Sequence, residues 1–282
     1  MSDVVVGNDR SSLHAIRKKN IICYDTALNT ILPPKDESSI RIVLISDTHN
    51  QHEELNLPEG DILIHGGDFT IKGTMDEITN FTTWIEKQHF EHKIVVPGNH
   101  DILLDEEQYD ILSSHWHDVK ESPKGAIEML KNVCSLGYHE IMEFEVRGYL
   151  LRVFISPFQP RQPKSRHPMA FGKVRGKELK EIWNTLHDAK NIDIVLTHSP
   201  PHGVMDVSFG NKHIGDEELL KAIKKLKPSI HIFGHVHESR GIEKLNRNTI
   251  CINASSKEGH GDNNTVLLNP FVIDFKPNNK YI

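Results

Sequence analysis

The chain has 282 residues, of which 37% are hydrophobic and 26% are charged, and its formal net charge is −6. This balance is typical of a soluble globular protein and argues against polymeric nucleic acid or a membrane as partner. Three scattered cysteines argue against a disulfide framework, and neither a signal peptide nor a run of ~18 apolar residues is recognised. We therefore expect a cytoplasmic protein.

Residues 1–40 are expected to form an N-terminal extension that precedes a single domain over residues 41–282. One strand is predicted near residues 21–24, and a polar turn follows Pro33 and Pro34. The sequence leaves open whether this extension packs on the domain or regulates it.

From residue 41 onward, short apolar runs recur, and each ends abruptly in glycine, aspartate or histidine. Five of them are rich in β-branched residues, which predicts strands that are buried on both faces. They span residues 42–46, 61–67, 93–98, 192–197 and 230–234.

Helical patterns lie between some of these runs. Thr74 and Glu77 have the spacing of a capping box, and Ile78, Phe81 and Ile85 then share one helical face. Further helices are predicted over residues 178–186 and 218–226, a hairpin over 141–155, and closing strands over 249–253, 266–268 and 272–275. The pattern predicts an α/β sandwich of mixed sheets with helices outside.

The residues that directly follow the five apolar runs are polar. Open α/β sheets place ligand sites in such loops, where glycine lets the backbone turn sharply behind a ligand. The loops carry Asp47-Thr48-His49, Gly66-Gly67-Asp68, Gly98-Asn99-His100-Asp101, Thr197-His198 and Gly234-His235-Val236-His237. Each one alone could be a polar loop, a turn or a solvated histidine-rich segment. The occurrence of all five in order, each at a strand end, favours a common site.

The chemistry of these side chains favours transition metals. Imidazole and carboxylate groups without cysteine exclude a thiolate zinc site and suit Mn, Fe, Co, Ni or Zn, among which the sequence does not choose. Seven ligands are too many for one ion but suit two divalent ions that share a carboxylate. The seven candidates are Asp47, His49, Asp68, Asn99, His198, His235 and His237.

With these motifs, the chain resembles the calcineurin-like metallophosphoesterase superfamily over about residues 41–275, and within it the small metallophosphoesterase-domain-containing proteins. The resemblance implies an α/β/β/α sandwich of two mixed sheets flanked by helices. It also implies that Asp68 bridges two metals and that His100 faces the phosphate, with Asp101 orienting His100 and tuning its charge. The remaining ligands would be Asp47, His49 and His237 for one metal, and Asn99, His198 and His235 for the other.

The same resemblance implies a metal-dependent phosphoric ester hydrolase in which a metal-bridging hydroxide attacks phosphorus. Certain animal members of the subgroup have glycine at the first histidine of the Gly-His-x-His motif, and their activity looks impaired. This chain has His235 at that position, so the second metal site should be complete. The segment after Asp68 lacks the arginine with which protein Ser/Thr phosphatases grip phosphate. We therefore favour a phosphodiesterase that uses manganese or another of these metals and acts on a cyclic or other small nucleotide.

Alternatives to this function remain open. They are a nucleotide-binding or scaffolding protein with weak catalysis, a phosphomonoesterase or protein phosphatase, and a nuclease, which the net charge of −6 disfavours. The oligomeric state is not predicted.

Several other side chains have two interpretations. His65 is expected to be a packed or supporting histidine rather than a metal ligand. His115 and His117 are expected in a surface loop, and Asn253 could approach the site from a closing strand, although its spacing does not show this. A long loop after residue 157 is expected to be solvated rather than to contact phosphate. Its basic residues are Arg161, Lys164, Arg166 and Arg175.

Overall fold

The structure is a computed structural model that describes residues 14–18, 20–26, 31–161, 167–246, 248–257 and 267–277. Its strands, numbered in chain order, form two large sheets. Sheet 1 contains β1 (His14–Lys18), β2 (Ile21–Asp25), β3 (Ile40–Ile45), β4 (Ile62–His65), β5 (His92–Val95), β6 (Ser135–Leu136) and β17 (Phe271–Phe275). Their order is β1-β2-β17-β3-β4-β5-β6. Strands β3 to β6 are parallel, whereas β17 is antiparallel to both of its neighbours.

Sheet 2 has the order β15-β16-β14-β11-β8-β7. Its strands are β7 (Glu140–Val146), β8 (Tyr149–Ser156), β11 (Ile194–Thr197), β14 (Ile230–Phe233), β15 (Gly241–Leu245) and β16 (Thr249–Asn253). The four inner strands are parallel, and the two edge strands are antiparallel to them. Two small ribbons pair β9 (Gln159–Pro160) with β10 (Gly172–Lys173) and β12 (Val207–Ser208) with β13 (Lys212–His213).

Helices cover the outer faces of both sheets. Sheet 1 packs against α1 (Met75–Glu86), α2 (Tyr109–Trp116) and α3 (Pro123–Lys131), and sheet 2 packs against α4 (Lys177–Asn184) and α5 (Glu217–Leu226). Short 3-10 helices span His52–Glu54, Ile102–Leu104, Thr185–Asp188 and His237–Ser239. Within the described ranges, none of the helices has the length and apolarity that crossing a bilayer requires.

The alternation of side chains along the inner strands explains the layers. Ile42 and Leu44 of β3 lie in the core between the sheets, while Val43 and Ile45 lie in the core under α1, α2 and α3. Successive side chains of a strand point to opposite faces, so a strand that is covered on both sides must be apolar throughout. Each such side chain contributes about 1.5–3 kcal/mol on burial. The predicted α/β/β/α sandwich is confirmed.

The capping box and the hairpin form as the sequence predicts. The Thr74 hydroxyl accepts the Glu77 amide at 3.4 Å, and the Glu77 carboxylate accepts the Thr74 amide at 3.2 Å, so the predicted capping box is present. The predicted hairpin is β7–β8. Of the closing strand predicted over residues 266–268, residue 266 lies outside the described residues, and Leu267 forms an isolated bridge with Lys257.

Part of the expected N-terminal extension lies inside sheet 1. Strand β2 pairs with β17, and Tyr24 lies opposite Val272. Ile21 and Cys23 of the same strand are buried in the core between the sheets. The domain boundary at residue 41 stays a prediction, but the packing that the sequence left open is observed for residues 21–25.

The prediction of a surface loop around His115 and His117 is wrong for His115, which is exposed but helical, whereas His117 follows the end of the helix. His115 and Trp116 form the last turn of α2, and the Trp116 indole N–H donates to the Pro168 carbonyl at 2.7 Å. The His117 ring lies 2.9 Å from the Tyr109 hydroxyl. The helix has only eight residues, several of them polar, so its sequence carries a weak helical pattern.

Candidate metal centre

The polar loops at the carboxyl ends of β3, β4, β5, β11 and β14 meet where the two sheets come together. The His235 amide, which follows β14 of sheet 2, donates to both carboxylate oxygens of Asp47 from sheet 1 at 3.0 Å. The His198 ring, which follows β11 of sheet 2, bonds through Nδ1 to the Gly66 carbonyl of sheet 1 at 2.9 Å. The site is therefore shared by both sheets.

One group of candidate ligands consists of Asp47, His49 and His237, whose ligand atoms all lie within 4.8 Å of one another. Nε2 of His49 is 3.4 Å from Nε2 of His237, which in turn is 3.5 Å from Oδ1 of Asp47. Asp47 and His49 are buried. These are the residues that the resemblance assigns to the first metal.

A second group consists of Asp68, His198 and His235, also with ligand atoms within 4.8 Å of one another. Asn99 joins it, because its Oδ1 lies 3.1 Å from Nε2 of His198. Oδ2 of Asp68 is 3.3 Å from Nε2 of His198 and 4.0 Å from Nε2 of His49. Asp68 therefore lies between the two groups, and the structure brings all seven predicted ligands together.

Backbone carbonyls orient three of the imidazoles. Nδ1 of His49 lies 3.1 Å from the Thr70 carbonyl, Nδ1 of His198 lies 2.9 Å from the Gly66 carbonyl, and Nδ1 of His100 lies 2.7 Å from the Ile71 carbonyl. A carbonyl can only accept, so each Nδ1 carries the proton and each Nε2 is left for the site. Metal-binding histidines are commonly held in this way. No sequence pattern indicates these partners, because they are main-chain atoms.

The protonation of the histidines fits a positively charged occupant. Burial lowers the pKa of His49 to about 4 and that of His235 to about 3, so both rings are neutral at pH 7. Burial acts in the same direction on His198, but the charge and hydrogen bond of Asp68 outweigh it and raise the pKa of His198 to about 9. A proton thus lies where carboxylate and imidazole converge, and a metal ion would replace it there.

The loops that carry the ligands have an unusual backbone. Asp47, His49, Asp68 and His235 have positive φ angles of 56°, 41°, 54° and 69°. The left-handed region costs a residue other than glycine roughly 1–2 kcal/mol, and such strain concentrates at functional sites.

Close packing between the loops requires glycine at two positions. A Cβ atom added at Gly98 would lie 2.2 Å from Oδ1 of Asp68, and one added at Gly234 would lie 2.2 Å from Oδ2 of Asp47. Any side chain at either position would displace a candidate ligand.

Asp101 does not have the role expected for it. Its carboxylate accepts hydrogen bonds from the amides of Gly98 at 2.7 Å and of Asp68 and Thr70 at 3.0 Å, while the His100 ring bonds to Ile71 instead. Burial and the charge of Asp68 raise the pKa of Asp101 to about 8. The predicted orientation of His100 by Asp101 is wrong, because Asp101 joins the loops after β4 and β5.

Two residues that the sequence left ambiguous support the ligand loops. The Gly67 amide donates to Nδ1 of His65 at 3.2 Å, so Nε2 of this buried ring carries the proton and donates to the Thr48 hydroxyl at 3.0 Å. Burial lowers the pKa of His65 to about 3, which agrees with a neutral packed ring. The Asn253 amide donates to the Val236 carbonyl at 2.8 Å and so holds the loop that carries two histidines.

Of the four basic residues predicted to lie in a solvated loop after residue 157, the structure describes Arg161 and Arg175. The Arg175 guanidinium donates to the carbonyls of Ile214 and Gly215 at 2.6 and 2.8 Å, so it is a cross-link and not a solvated side chain. Arg161 donates to the Gly172 carbonyl at 3.4 Å. Lys164 and Arg166 lie outside the described residues.

Comparison with known proteins places this site in a family. The profile of calcineurin-like phosphoesterases matches residues 40–239. The chain belongs to the calcineurin-like phosphoesterase family. Human metallophosphoesterase domain-containing protein 1 is 35% identical over 229 residues, which cover 79% of this chain and 68% of the human one. A UPF0046 protein of Caenorhabditis elegans is 32% identical over 250 residues, which cover 86% of this chain and 79% of its own.

A solved structure has the same fold. It aligns with a TM-score of 0.52 and 17% identity and covers 76% of this chain and 90% of its own. The predicted resemblance is confirmed. The family generally uses a dinuclear metal centre, and membership indicates a hydrolase of phosphoesters whose candidate metal ligands are those of the cluster described above.

Proposed function

We propose that the chain is a phosphodiesterase that hydrolyses a small nucleotide phosphodiester with two divalent transition ions, manganese being one candidate. The observation that supports it best is the position of Asp68 between two ligand groups, each with its ligand atoms within 4.8 Å of one another. We also propose a cytoplasmic location and a small-molecule substrate rather than polymeric nucleic acid or a membrane.

The residues present fit two such ions. Asp47, His49 and His237 would hold one, and Asn99, His198 and His235 the other, with the carboxylate of Asp68 common to both. This donor set mixes imidazole and oxygen, which suits these metals. Ions bound there would polarise the phosphoryl oxygens and lower the pKa of a water molecule.

His100 is placed to handle a proton beside this centre. Its amide donates to Oδ1 of Asp68 at 2.7 Å, and its Nδ1 is fixed on the Ile71 carbonyl at 2.7 Å. A ligand atom of His100 lies within 4.8 Å of those of His49 and Asp68, and the ring is partly exposed. With Nδ1 committed to the Ile71 carbonyl, Nε2 is the atom that exchanges a proton with the site, and it gives one to the leaving oxygen from the form of the ring that is protonated on both nitrogens.

The preference for a diester rests on charge. The segment after Asp68 carries no arginine, and its one basic residue, Lys72, is exposed. A monoester dianion gains more from a nearby guanidinium than a diester monoanion does. The lack of such a cation in this segment therefore favours the diester.

The test compares hydrolysis of bis-p-nitrophenyl phosphate and p-nitrophenyl phosphate by the manganese-loaded protein. We expect metal-dependent cleavage that is faster for the diester, and its loss in Asp68→Asn. The matched control is Asp110→Asn, because the Asp110 side chain is 84% exposed, and this variant should retain activity.

Two other results would change the conclusion. Faster cleavage of the monoester would contradict the preference for a diester. No turnover of either ester, with two metals per chain shown by elemental analysis, would favour a nucleotide-binding protein.

A further inference from the structure

A strip of aromatic rings extends outward from His100. The His100 ring makes an edge-on contact with His49, with ring centroids 4.9 Å apart, and another with Trp116, with centroids 6.1 Å apart. His167 lies 5.7 Å from Trp116, and His115 lies 6.1 Å from His167. The strip therefore begins at the candidate metal centre and ends at the exposed His115.

Trp116 is fixed within this strip. Its indole N–H donates to the Pro168 carbonyl at 2.7 Å, and part of its ring packs on the core under α1, α2 and α3. The side chain is only partly buried, so the rest of the ring is accessible.

Trp116 and His100 are both positioned by the segment that contains Ile71 and Lys72. Nε2 of His117, the next residue, lies 2.8 Å from the Lys72 carbonyl, and Nδ1 of His100 lies 2.7 Å from the carbonyl of the adjacent Ile71. The two rings therefore keep their relative position without a ligand, which lowers the ordering cost of binding one.

The chemistry of Trp116 limits what it can recognise. Its one polar atom is already bonded to Pro168, so the indole offers a π face rather than a hydrogen bond. Such a face attracts another flat ring, and any of the nucleobases can stack on an aromatic side chain. A base joined to the phosphate through a sugar would extend from the metal centre along this strip.

We propose that Trp116 is the stacking platform for the nucleobase of the substrate and determines the selectivity for nucleotides over other phosphate esters. His167 flanks the platform. This inference rests on the proposed function, since it assigns the base-binding position of the same site.

The test measures binding of adenosine 5′-monophosphate and ribose 5-phosphate to the manganese-loaded protein by calorimetry. The two ligands share the phosphate and sugar, so the ratio of their Kd values isolates the base. We expect the nucleotide to bind on the order of 10- to 100-fold more tightly to the wild type. Trp116→Ala should reduce this ratio to near one, and Trp116→Phe should keep most of it.

Ile111→Ala serves as the control on the same helix, because Ile111 is 63% exposed, and it should leave the ratio unchanged. Equal affinities of the wild type for the two ligands, or an unchanged ratio of Kd values in Trp116→Ala, would refute the role of Trp116 as a stacking platform. Diester hydrolysis separates the two proposals. If the ratio of Kd values depends on Trp116 but no diester is hydrolysed, the base-binding role of Trp116 is supported and the proposed phosphodiesterase activity is refuted. If the diester is hydrolysed but Trp116→Ala leaves the ratio unchanged, only the base-binding role is refuted.

Discussion

The substitution Gly98→Ala tests how closely the loops that carry the two ligand groups are packed. In Gly98→Ala, the new Cβ would lie 2.2 Å from Oδ1 and 2.3 Å from the amide nitrogen of Asp68, and 2.7 Å from Cε1 of His198. Gly98 does not have a positive φ angle, so alanine is compatible with the backbone. The substitution therefore tests the loss of space and not backbone strain.

The expected size of the effect follows from these distances. Ordinary carbon contacts are about 3.5–4 Å, so Asp68 must retreat by about 1 Å or more. A displacement of about 1 Å in a catalytic site can lower the rate on the order of 100-fold, which corresponds to about 2.7 kcal/mol of transition-state stabilisation. Because Asp68 is common to both ligand groups, we also expect fewer metals per chain.

The assay is manganese-dependent hydrolysis of bis-p-nitrophenyl phosphate, with the metal content measured on the same samples. Gly125→Ala is the control, because a Cβ atom there has no neighbour closer than 3.4 Å. Thermal unfolding shows whether each variant is folded. A folded Gly98→Ala protein with both metals and nearly wild-type kcat/KM would refute the close packing of Gly98 against Asp68.

Three further predictions concern the histidines and the metals. His100→Ala should retain its metals while kcat falls about 100-fold or more, as measured by steady-state kinetics and elemental analysis. Burial lowers the pKa of His231 to about 3. As the pH falls below about 6.5, the unfolded chain therefore binds a proton at this histidine that the folded chain does not bind, and the free energy of unfolding decreases. His231→Gln should remove about 1.4 kcal/mol of this loss per pH unit, seen as a shallower pH dependence in urea unfolding. Chelation should lower the unfolding temperature of the wild type, because a metal at 100 times its Kd adds about 2.7 kcal/mol, and Asp68→Asn should show no such shift.

The layers and the candidate ligands could be predicted from the sequence for one physical reason. Strands buried on both faces must be apolar, so the first polar residues after them mark the strand ends. Asp47, Asp68 and His198 each follow the end of such a strand within three residues. In parallel strands these ends lie at the same edge of the sheet, which brings distant residues together.

The remaining features depend on contacts that no local pattern encodes. The carbonyls of Thr70 and Ile71 orient two histidines, but every residue has a carbonyl. The contacts of Asp101 are with backbone amides of two loops, so its neighbour His100 was the wrong partner to expect. Trp116 lies beside the site because α2 returns to it.

The place of β17 between β2 and β3 has a consequence for biosynthesis. Among the described strands it is the last to leave the ribosome, yet it supplies the hydrogen bonds that join β2 to the rest of sheet 1. Until it emerges, one edge of β3 is an unpaired template that can attract other chains. The ligand-bearing loops, which end at His237, are made before this strand. The β1–β2 hairpin is therefore synthesised first but takes its place in the sheet last.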